Sequence, residues 1–299
     1  MITSVGFSAG LGTTVPSQRT VAESYIRSAL FNSAAFGKSR VSLTGNAKTD
    51  SYNSTIGPYG GANRGSKGDV ITNGDTIGTI TLTGSSTING NADTAPGGTV
   101  SLGPASRVTG SITHANADVP GQVSVPTGLS GLTSGTSINL SGSNNQSLPG
   151  GNYRMPSINI SGNAQLTLSG DVNIYLTGTS ALNITGSGRL VVSGNAKVYI
   201  DGSANISGAG VVNNTQLPKN FMLYGTFTSS NIQVSGSGVF YGGIYAPDTA
   251  VSVTGNGGLY GAVVGDTITV TGSSSIHFDE AFDVAGSAGG YSFESWQEI

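Results

Sequence analysis

Residues 158–210 read INISGNAQLTLSGDVNIYLTGTSALNITGSGRLVVSGNAKVYIDGSANISGAG, with glycine at every eighth position from Gly162 onward. In most units an apolar residue, one other residue and a second apolar residue precede Ser, Thr or Asp and then Gly. Alternation with period two is typical of a strand with one buried face, and glycine takes the positive φ of a corner. Such short strands cannot bury their faces alone, so the pattern predicts a stacked β-solenoid. The predicted corners are Gly162, Gly170, Gly178, Gly186, Gly194 and Gly202.

The composition restricts the class of protein. Only 9% of the 299 residues are charged, against about 25% in ordinary domains, and there is no cysteine. The net charge is −3, and Lys and Arg are scattered singly, which argues against a nucleic-acid partner. No stretch reaches the roughly 18 apolar residues of a membrane helix, and none resembles a signal peptide. We expect an export and anchoring segment to precede Met1, since residues 1–5 read like the interior of a protein.

The repeat defines three predicted regions of a single all-β chain. It begins at Val41-Ser42-Leu43-Thr44-Gly45, so residues 41–280 are predicted to form the β-solenoid. Residues 1–40 are predicted to form a hairpin of Ile2–Ala9 and Gln18–Ile26, followed by a short helix near Arg27–Phe36. In the alternative interpretation the helix begins at Thr20. Residues 281–299 are predicted to form a closing clasp strand. These flanking regions would cover the open ends of the solenoid.

The last third of the chain has a longer repeat. Gly238–Gly242 aligns with Gly257–Gly261, and Ser275–His277 is a degenerate third copy, at steps of 19 and 17 residues. This alignment predicts one column of Phe240, Leu259 and Ile276, and a second column of Tyr241, Tyr260 and His277. One turn would then contain two eight-residue units plus corners, or three units. At ~4.8 Å per rung, roughly 10–14 turns would make a rod about 50–65 Å long.

Short motifs in a fixed order resemble a known family. They lie at 42–47, 49–52, 57–60, 65–66, 68–70, 72–74, 244–247, 259–264, 276–281 and 295–298. Together they resemble the β-solenoid domains that follow PilX-type, pilin-like N-termini in bacterial type IV pilus assembly proteins. The resemblance covers most of residues 41–299, and Gln297 replaces the arginine of the family's terminal Ser-Trp-Arg-Glu. It implies a pilin-type N-terminal helix and supplies no catalytic residues. The chain is also similar to bactofilins, which are shorter and lack these loops.

These observations predict a non-enzymatic surface protein, either a pilus-associated subunit or an adhesin-like rod, outside or on the surface of a bacterium. Its expected partners are pilus or other surface proteins, further copies of itself, or glycans, with membrane attachment only through a preceding segment. The first alternative is a polysaccharide-binding or polysaccharide-degrading β-helix, although 15 scattered acids supply no obvious pair. The second is an ice-binding or self-assembling solenoid filament, suggested by Thr79-Ile80-Thr81 and by the alternating threonines of 267–271.

Few residues suggest site chemistry. Gly6–Gly10 fits the nucleophile-elbow pattern but has no strand–turn–helix setting or histidine partner. Tyr241, Tyr260 and His277 could form a binding stripe, or simply stack between rungs. We expect no cofactor; the alternative is calcium at a Gly- and Tyr-rich loop. We interpret the acids near the C-terminus as a structural cap rather than a metal or proton-transfer site. The calcium candidates are Asp50, Asp69 and Asp75, and the cap residues are Asp279, Glu280 and Trp296.

Overall fold

A computed structural model of the chain describes residues 2–8, 17–27, 30–236, 238–282 and 291–298, with side chains for 30–236 and 238–282. These residues form strands, one short helix, α1 (Thr127–Ser130), and 3-10 turns at Gly61–Asn63, Pro218–Asn220 and Glu280–Phe282. The predicted all-β class is confirmed. The strands are β1 Ile2–Ser8, β2 Ser17–Arg27, β3 Ala35–Leu43, β4 Lys48–Tyr52, β5 Val70–Thr72, β6 Ile80–Leu82, β7 Thr87–Ile88, β8 Ala92–Asp93, β9 Val100–Leu102, β10 Arg107–Val108, β11 Ile112–Thr113, β12 Ile138–Leu140, β13 Asn145–Met155, β14 Ile158–Ile160, β15 Gln165–Leu176, β16 Ser180–Ile184, β17 Arg189–Val192, β18 Asn195–Ile200, β19 Ser203–Ile206, β20 Gly210–Asn213, β21 Phe221–Gly225, β22 Asn231–Val234, β23 Val239–Ala246, β24 Ala250–Val253, β25 Gly258–Val270, β26 Ser275–Asp279 and β27 Tyr291–Glu298.

The chain divides into two compact units, one of Met1–Leu30 with Val284–Ile299 and one of Phe31–Asp283. In the first unit β1 pairs antiparallel with β2, and β2 pairs antiparallel with β27. The hairpin turn predicted near Gly10 lies outside the described residues. The strands before and after the second unit therefore belong to one small sheet.

The short helix predicted near Arg27–Phe36 is wrong over the described residues. Residues 30–34 contain bends and no helical turn, and β3 begins at Ala35. Ala35 pairs with Val263 and Phe36 with Val264 in a parallel ladder. Because that pairing buries both side chains, tertiary contacts outweigh the local helix signal.

The second unit is a β-solenoid of three parallel stacks, so each turn, or rung, contributes one strand segment to each stack. Hydrogen-bonded neighbours define the stacks. Stack A runs β12, β14, β16, β19, β22, β24, the end of β25, the end of β3, β6 and β9. Stack B runs β13, β15, β17, β20, β23, β25, β26, β4, β7 and β10. Stack C runs β13, β15, β18, β21, β23, β25, β3, β5, β8 and β11.

The pairing settles the number of units per turn. Ile158 pairs with Leu182, three eight-residue units later, so a turn contains three units and the two-unit prediction is wrong. The later turns are shorter but keep three strands, since Val251 pairs with Ile268. Stack A contains ten strand segments among the described residues, at the low end of the predicted range. Apolar side chains pointing inward, such as Ile158, are fully buried and form the core.

The order of the rungs in space is not their order in the sequence. Strands β3 to β11 build three rungs in one direction, beginning next to β25. The chain then starts again at β12, at the far end of the stack, and its later rungs return to the start. Ile268 there pairs with Val41, and Ile276 pairs with Thr49. The sequence did not predict this rearrangement.

Residues 114–137, the crossover, connect the two ends of the stack. The Tyr245 hydroxyl donates to the carbonyl of Gly121 at 2.8 Å, and the Arg154 guanidinium donates to the carbonyl of Leu132 at 2.8 Å. Both donors belong to stack C, so these bonds fix the crossover along that stack. What the sequence presents as an interrupting loop is therefore a structural connection.

A row of tyrosines points outward from stack C where the crossover passes. In register along the stack are Tyr175, Tyr199, Tyr224 and Tyr245. The rings of Tyr199 and Tyr224 stack at 4.8 Å between centroids. Tyr199 is 8% exposed and Tyr245 is 7% exposed. Tyr199 and Tyr245 are thus largely removed from solvent although they point away from the solenoid core, while Tyr175 and Tyr224 are half-buried.

The corner glycines meet two different physical requirements. Positive φ occurs at Gly162, Gly170 and Gly186, as predicted, but not at Gly178, Gly194 and Gly202. At Gly202 an added Cβ would lie 2.2 Å from the carbonyl oxygen of Gly178, in the rung below. Close approach of backbones between rungs, rather than a left-handed conformation, therefore requires glycine at that corner.

Candidate functional site

The predicted column of Tyr241, Tyr260 and His277 is present in stack B. Tyr241 pairs with Tyr260, and Tyr260 pairs with His277. The two tyrosine rings lie 4.5 Å apart at an interplanar angle of 13°, and Tyr260 lies 4.7 Å from the imidazole. Their faces are directed at one another, so stacking between rungs already uses the surfaces that would hold a flat ligand. A binding role for this stripe stays a prediction.

Asp50 continues the same row on the next rung, because it pairs with His277. Its carboxylate lies 2.5 Å from His277 Nδ1 and accepts a 2.6 Å hydrogen bond from the Tyr59 hydroxyl. The Tyr59 ring covers the imidazole at 3.9 Å, and the Arg64 guanidinium lies 5.2 Å from the Tyr59 ring centroid. Asp50 and His277 are both buried, so these bonds satisfy polar groups that would otherwise destabilise the fold.

The tyrosines around this cluster stay protonated at neutral pH. Burial, followed by the hydrogen bond to Asp50, raises the pKa of Tyr59 well above its ordinary value. Burial and the charge of Asp279 raise the pKa of Tyr52 further. Burial, with a smaller effect from Asp50, also raises the pKa of Tyr260. None of these hydroxyls is poised to act as a base or nucleophile.

Of the residues expected to form a cap, Asp279 satisfies backbone groups, but it does not lie at an end of the rod. Asp279 is fully buried and accepts hydrogen bonds from the Ser54 N–H at 2.9 Å, the Ser54 hydroxyl at 2.7 Å and the Ala281 N–H at 3.1 Å. Glu280 accepts from the Ser51 hydroxyl at 2.8 Å. Because β26 pairs with β4, this cluster lies within the stack, where the first and last rungs of the chain meet.

The remaining sequence candidates are not brought together. Asp69 accepts a 2.7 Å hydrogen bond from the N–H of Asn91, and Asp75 is exposed. Within the described part of the chain, no group of three or more His, Asp or Glu side chains could hold a metal ion. Trp296 lies in β27, and the side chain of Trp296 and those of Gly6–Gly10 are outside the described residues.

The outer face of stack A is the feature that sequence reasoning missed. Uncharged polar side chains form one uninterrupted row along all ten strands, as successive partners in register. The row is Asn139, Asn159, Asn183, Asn205, Gln233, Ser252, Thr269, Ser42, Thr81 and Ser101. We call the first five the asparagine half and the last five, with the adjacent Thr254, Thr271, Thr44 and Thr83, the hydroxyl half.

The two halves differ in how their polar groups are satisfied. In the asparagine half the Asn159 amide donates to Asn139 at 2.7 Å, and Asn205 donates to Asn183 at 3.1 Å. In the hydroxyl half Thr81 donates to the carbonyl of Gly78 at 3.0 Å. Among the described residues, the other eight side chains of the hydroxyl half make no hydrogen bond to the protein. Their hydroxyls are therefore free to bond to an external partner.

No helix among the described residues is long and apolar enough to cross a membrane. No curated protein matches the chain. The family described as a domain of unknown function, DUF7305, matches residues 132–284, which is about half of the chain.

Three solved structures with similar folds have low scores. The DUF3494 domain of ice-binding protein 1 from Shewanella frigidimarina is 14% identical, with a TM-score of 0.36, and the match covers 85% of this chain and 98% of that one. An ice binding protein from an Antarctic biological consortium is 12% identical, with a TM-score of 0.35 and coverage of 86% and 94%. The competence-associated pilin ComZ from Thermus thermophilus is 10% identical, with a TM-score of 0.31 and coverage of 94% and 77%. At these scores the similarities do not bear on function.

Proposed function

We propose that this chain, which belongs to the DUF7305 family, is a non-enzymatic, adhesin-like rod displayed on the outside of a bacterium in association with type IV pili. The ordered motifs of residues 42–298 support the association with pili. The low content of charged residues and the neutral outer face of stack A support an extracellular binding surface.

One observation carries the proposal: the segments at which the solenoid begins and finishes lie together. The ring of Phe31, where the solenoid begins, lies 4.8 Å from the ring of Phe282, where it finishes. In the other unit, the flanking strands β2 and β27 pair with each other. The whole solenoid is thus inserted between two paired strands. An insertion of this kind suits display, because anchoring one flanking segment holds the complete module.

The contacts of the buried acids argue against the polysaccharide-degrading alternative. Glycoside hydrolysis needs two carboxyl groups facing a shared substrate site. Asp50 is engaged by His277 and Tyr59, while Asp279 is engaged by Ser54. Both carboxylates bond to protein groups at the junction between rungs, so neither is available to contact a substrate.

The proposal is tested in the native organism with the full-length protein. Pili sheared from cells should contain the protein, and antibodies to the solenoid should label intact cells. A strain unable to assemble pili supplies the control, and surface labelling there should fall. Recovery of the protein in the cytosol, with none on cells or in the pilus fraction, would overturn the proposal.

A second candidate function, ice binding, is favoured by the free hydroxyls of the hydroxyl half. In sequence the threonine pairs are scattered, but the order of the rungs places Thr269, Ser42 and Thr81 next to one another. Hydroxyls then repeat at ~4.8 Å along the stack and at about 7 Å along each strand. Such a regular array of hydroxyl and methyl groups suits an ordered water lattice better than a charged ligand.

Ice binding is tested by thermal hysteresis and by adsorption to ice. Thr269→Lys places a charge in the hydroxyl half, and Asn183→Lys is the matched control in the asparagine half of the same face. We expect the parent and Asn183→Lys proteins to bind ice and Thr269→Lys to lose most of that activity. A parent protein without activity, or equal loss in both variants, would exclude this function for the hydroxyl half.

A further inference from the structure

Among the described residues, one end of the solenoid is open. Strands β9, β10 and β11 form the last rung, and each pairs with a neighbour on one side only, β6, β7 and β8 respectively. Leu102 is 45% exposed and Ile112 is 42% exposed, although both occupy positions that point into the core on inner rungs. This end therefore presents apolar side chains together with the unpaired backbone edges of three strands.

The opposite end is covered in part. Its strands, β12 and β13, are also terminal in their stacks, and Ile138, Leu148 and Met155 are each at most 9% exposed. Leu140 and Tyr153 are half-buried there, and Gln146 is exposed. The short helix α1 lies against β13, and its Leu129 is 2% exposed. The crossover thus covers part of the end where it arrives and leaves open the end where it starts.

We propose that the open end binds a second copy of this chain through the same open end, forming a closed two-fold dimer. Joining unlike ends into a filament would set the apolar open end against an end where α1 packs and Gln146 is exposed, so like ends match better. In a two-fold arrangement the stack A edges of the two copies face each other, so β9 pairs antiparallel with the β9 strand of the second copy. Each dimer then has both open ends covered, and growth stops at two.

The chain already contains a rung-on-rung contact, although its strands pair in parallel rather than antiparallel. The rung of Ile268 docks on the rung of Val41 by parallel strand pairing and apolar contact, without a short covalent connection between them. A second copy would continue this rung-on-rung contact past Leu102. Arg107 is the only charged residue of β9, β10 and β11, so two identical ends bring little repulsion together.

The dimer would also enlarge the face on which the second candidate function depends. The hydroxyl half is the half nearest the open end, since Ser101 lies in β9 itself. Joining two copies edge to edge would place two hydroxyl halves in one continuous surface. This consequence rests on the proposed ice-binding function, whereas the dimer itself does not.

Analytical ultracentrifugation of the whole chain over a wide concentration range tests the dimer. We expect the mass to rise with concentration and to level at twice that of the monomer. Leu102→Asp and Ile112→Asp should weaken association about tenfold or more, because each would bury a charge in the interface. Phe227→Asp is the matched control, since this apolar residue is exposed between β21 and β22, away from the open end, and it should dimerise like the parent.

Each other result would overturn the dimer. A parent chain that stays monomeric at every concentration has no such interface. A mass that grows beyond two copies indicates a filament and a second open end. If the end variants melt like the parent and still dimerise, the contact lies elsewhere. Because mass is measured without ice, these outcomes are independent of ice binding.

Discussion

His277 Nδ1 lies 2.5 Å from a carboxylate oxygen of Asp50, although the two residues are 227 positions apart in the chain. The contact joins β26 to β4, which are the rungs where the two ends of the solenoid chain meet. Tyr59 covers the pair and donates to the other carboxylate oxygen. The cluster therefore links two segments that are distant in the chain, and its loss should destabilise the whole solenoid.

Replacing Asp50 tests this role. Asp50→Ala removes the acceptor of the buried His277 and of the half-buried Tyr59 and leaves both polar groups unsatisfied. We expect a loss of about 2–4 kcal/mol in the free energy of unfolding, measured by urea denaturation. Asp75→Ala, at an exposed aspartate, is the control and should change stability by less than about 0.5 kcal/mol. Equal stability of the two variants would contradict the role of Asp50 in linking the two segments.

The corner at Gly202 should not tolerate even one methyl group. In Gly202→Ala the new Cβ would lie 2.2 Å from the carbonyl oxygen of Gly178, so the backbone of one rung must move. We expect destabilisation of about 2 kcal/mol or more, seen as a lower melting temperature. Gly121→Ala is the matched control, because nothing lies within 4 Å of the added atom there. A melting temperature for Gly202→Ala equal to that of the control would contradict close backbone packing.

Leu129 should stabilise the end of the solenoid on which α1 packs. Leu129→Ala removes most of a side chain that is 2% exposed, at a cost of about 2 kcal/mol or more. Because the change is local, hydrogen exchange should increase in β12 and β13 before it increases in β25. Val119→Ala, at a residue that is 77% exposed in the same crossover, should leave exchange unchanged. Uniform acceleration along the chain would show that α1 does not protect that end specifically.

Two tyrosines with raised pKa values, Tyr175 and Tyr245, predict a loss of stability at alkaline pH. Burial, together with the hydrogen bond to Asp201, raises the pKa of Tyr175 to about 12, and burial raises that of Tyr245 to about 12. In the unfolded chain both ionise near pH 10. Above that pH the unfolded state loses protons first, so stability is full below about pH 10 and falls as pH rises toward about 12.

Urea denaturation midpoints across this alkaline range measure the effect. Tyr245→Phe removes one of the ionising groups, so its midpoint should fall less steeply with pH than that of the parent. A midpoint that stays level through this range would show that burial does not hold these hydroxyls protonated.

Much of the architecture could be predicted from the sequence because the period of the apolar residues indicates which side chains are buried. Inward aliphatics at Ile158 and its equivalents define the stacks, and the aligned Tyr241 and Tyr260 give the correct register. The order of the rungs could not be predicted. Inward positions on different rungs carry similar aliphatic residues, so nothing local specifies that Ile268 should pair with Val41.

Because of the same ambiguity, the features most relevant to function could not be predicted from the sequence. Thr269, Ser42 and Thr81 are far apart in the chain and become neighbours only through the rearranged stack. Asp50 and His277 were assigned to separate candidate sites, and no spacing rule connects them. The helix predicted near Arg27–Phe36 was wrong because β25 provides a strand partner whose position the sequence does not reveal.

The rearranged stack also imposes a delay while the protein is being made. Val41 is synthesised long before Ile268, its partner on the neighbouring rung. At about 5–20 residues per second, the interval is on the order of ten to forty-five seconds. Throughout that interval β3 and β4 have no neighbour on one side, and the rungs of β3 to β11 form a partial stack with two open edges. In the nascent chain the edges of β3 and β4 are thus exposed in the cell, whereas in the folded protein they are paired with β25 and β26.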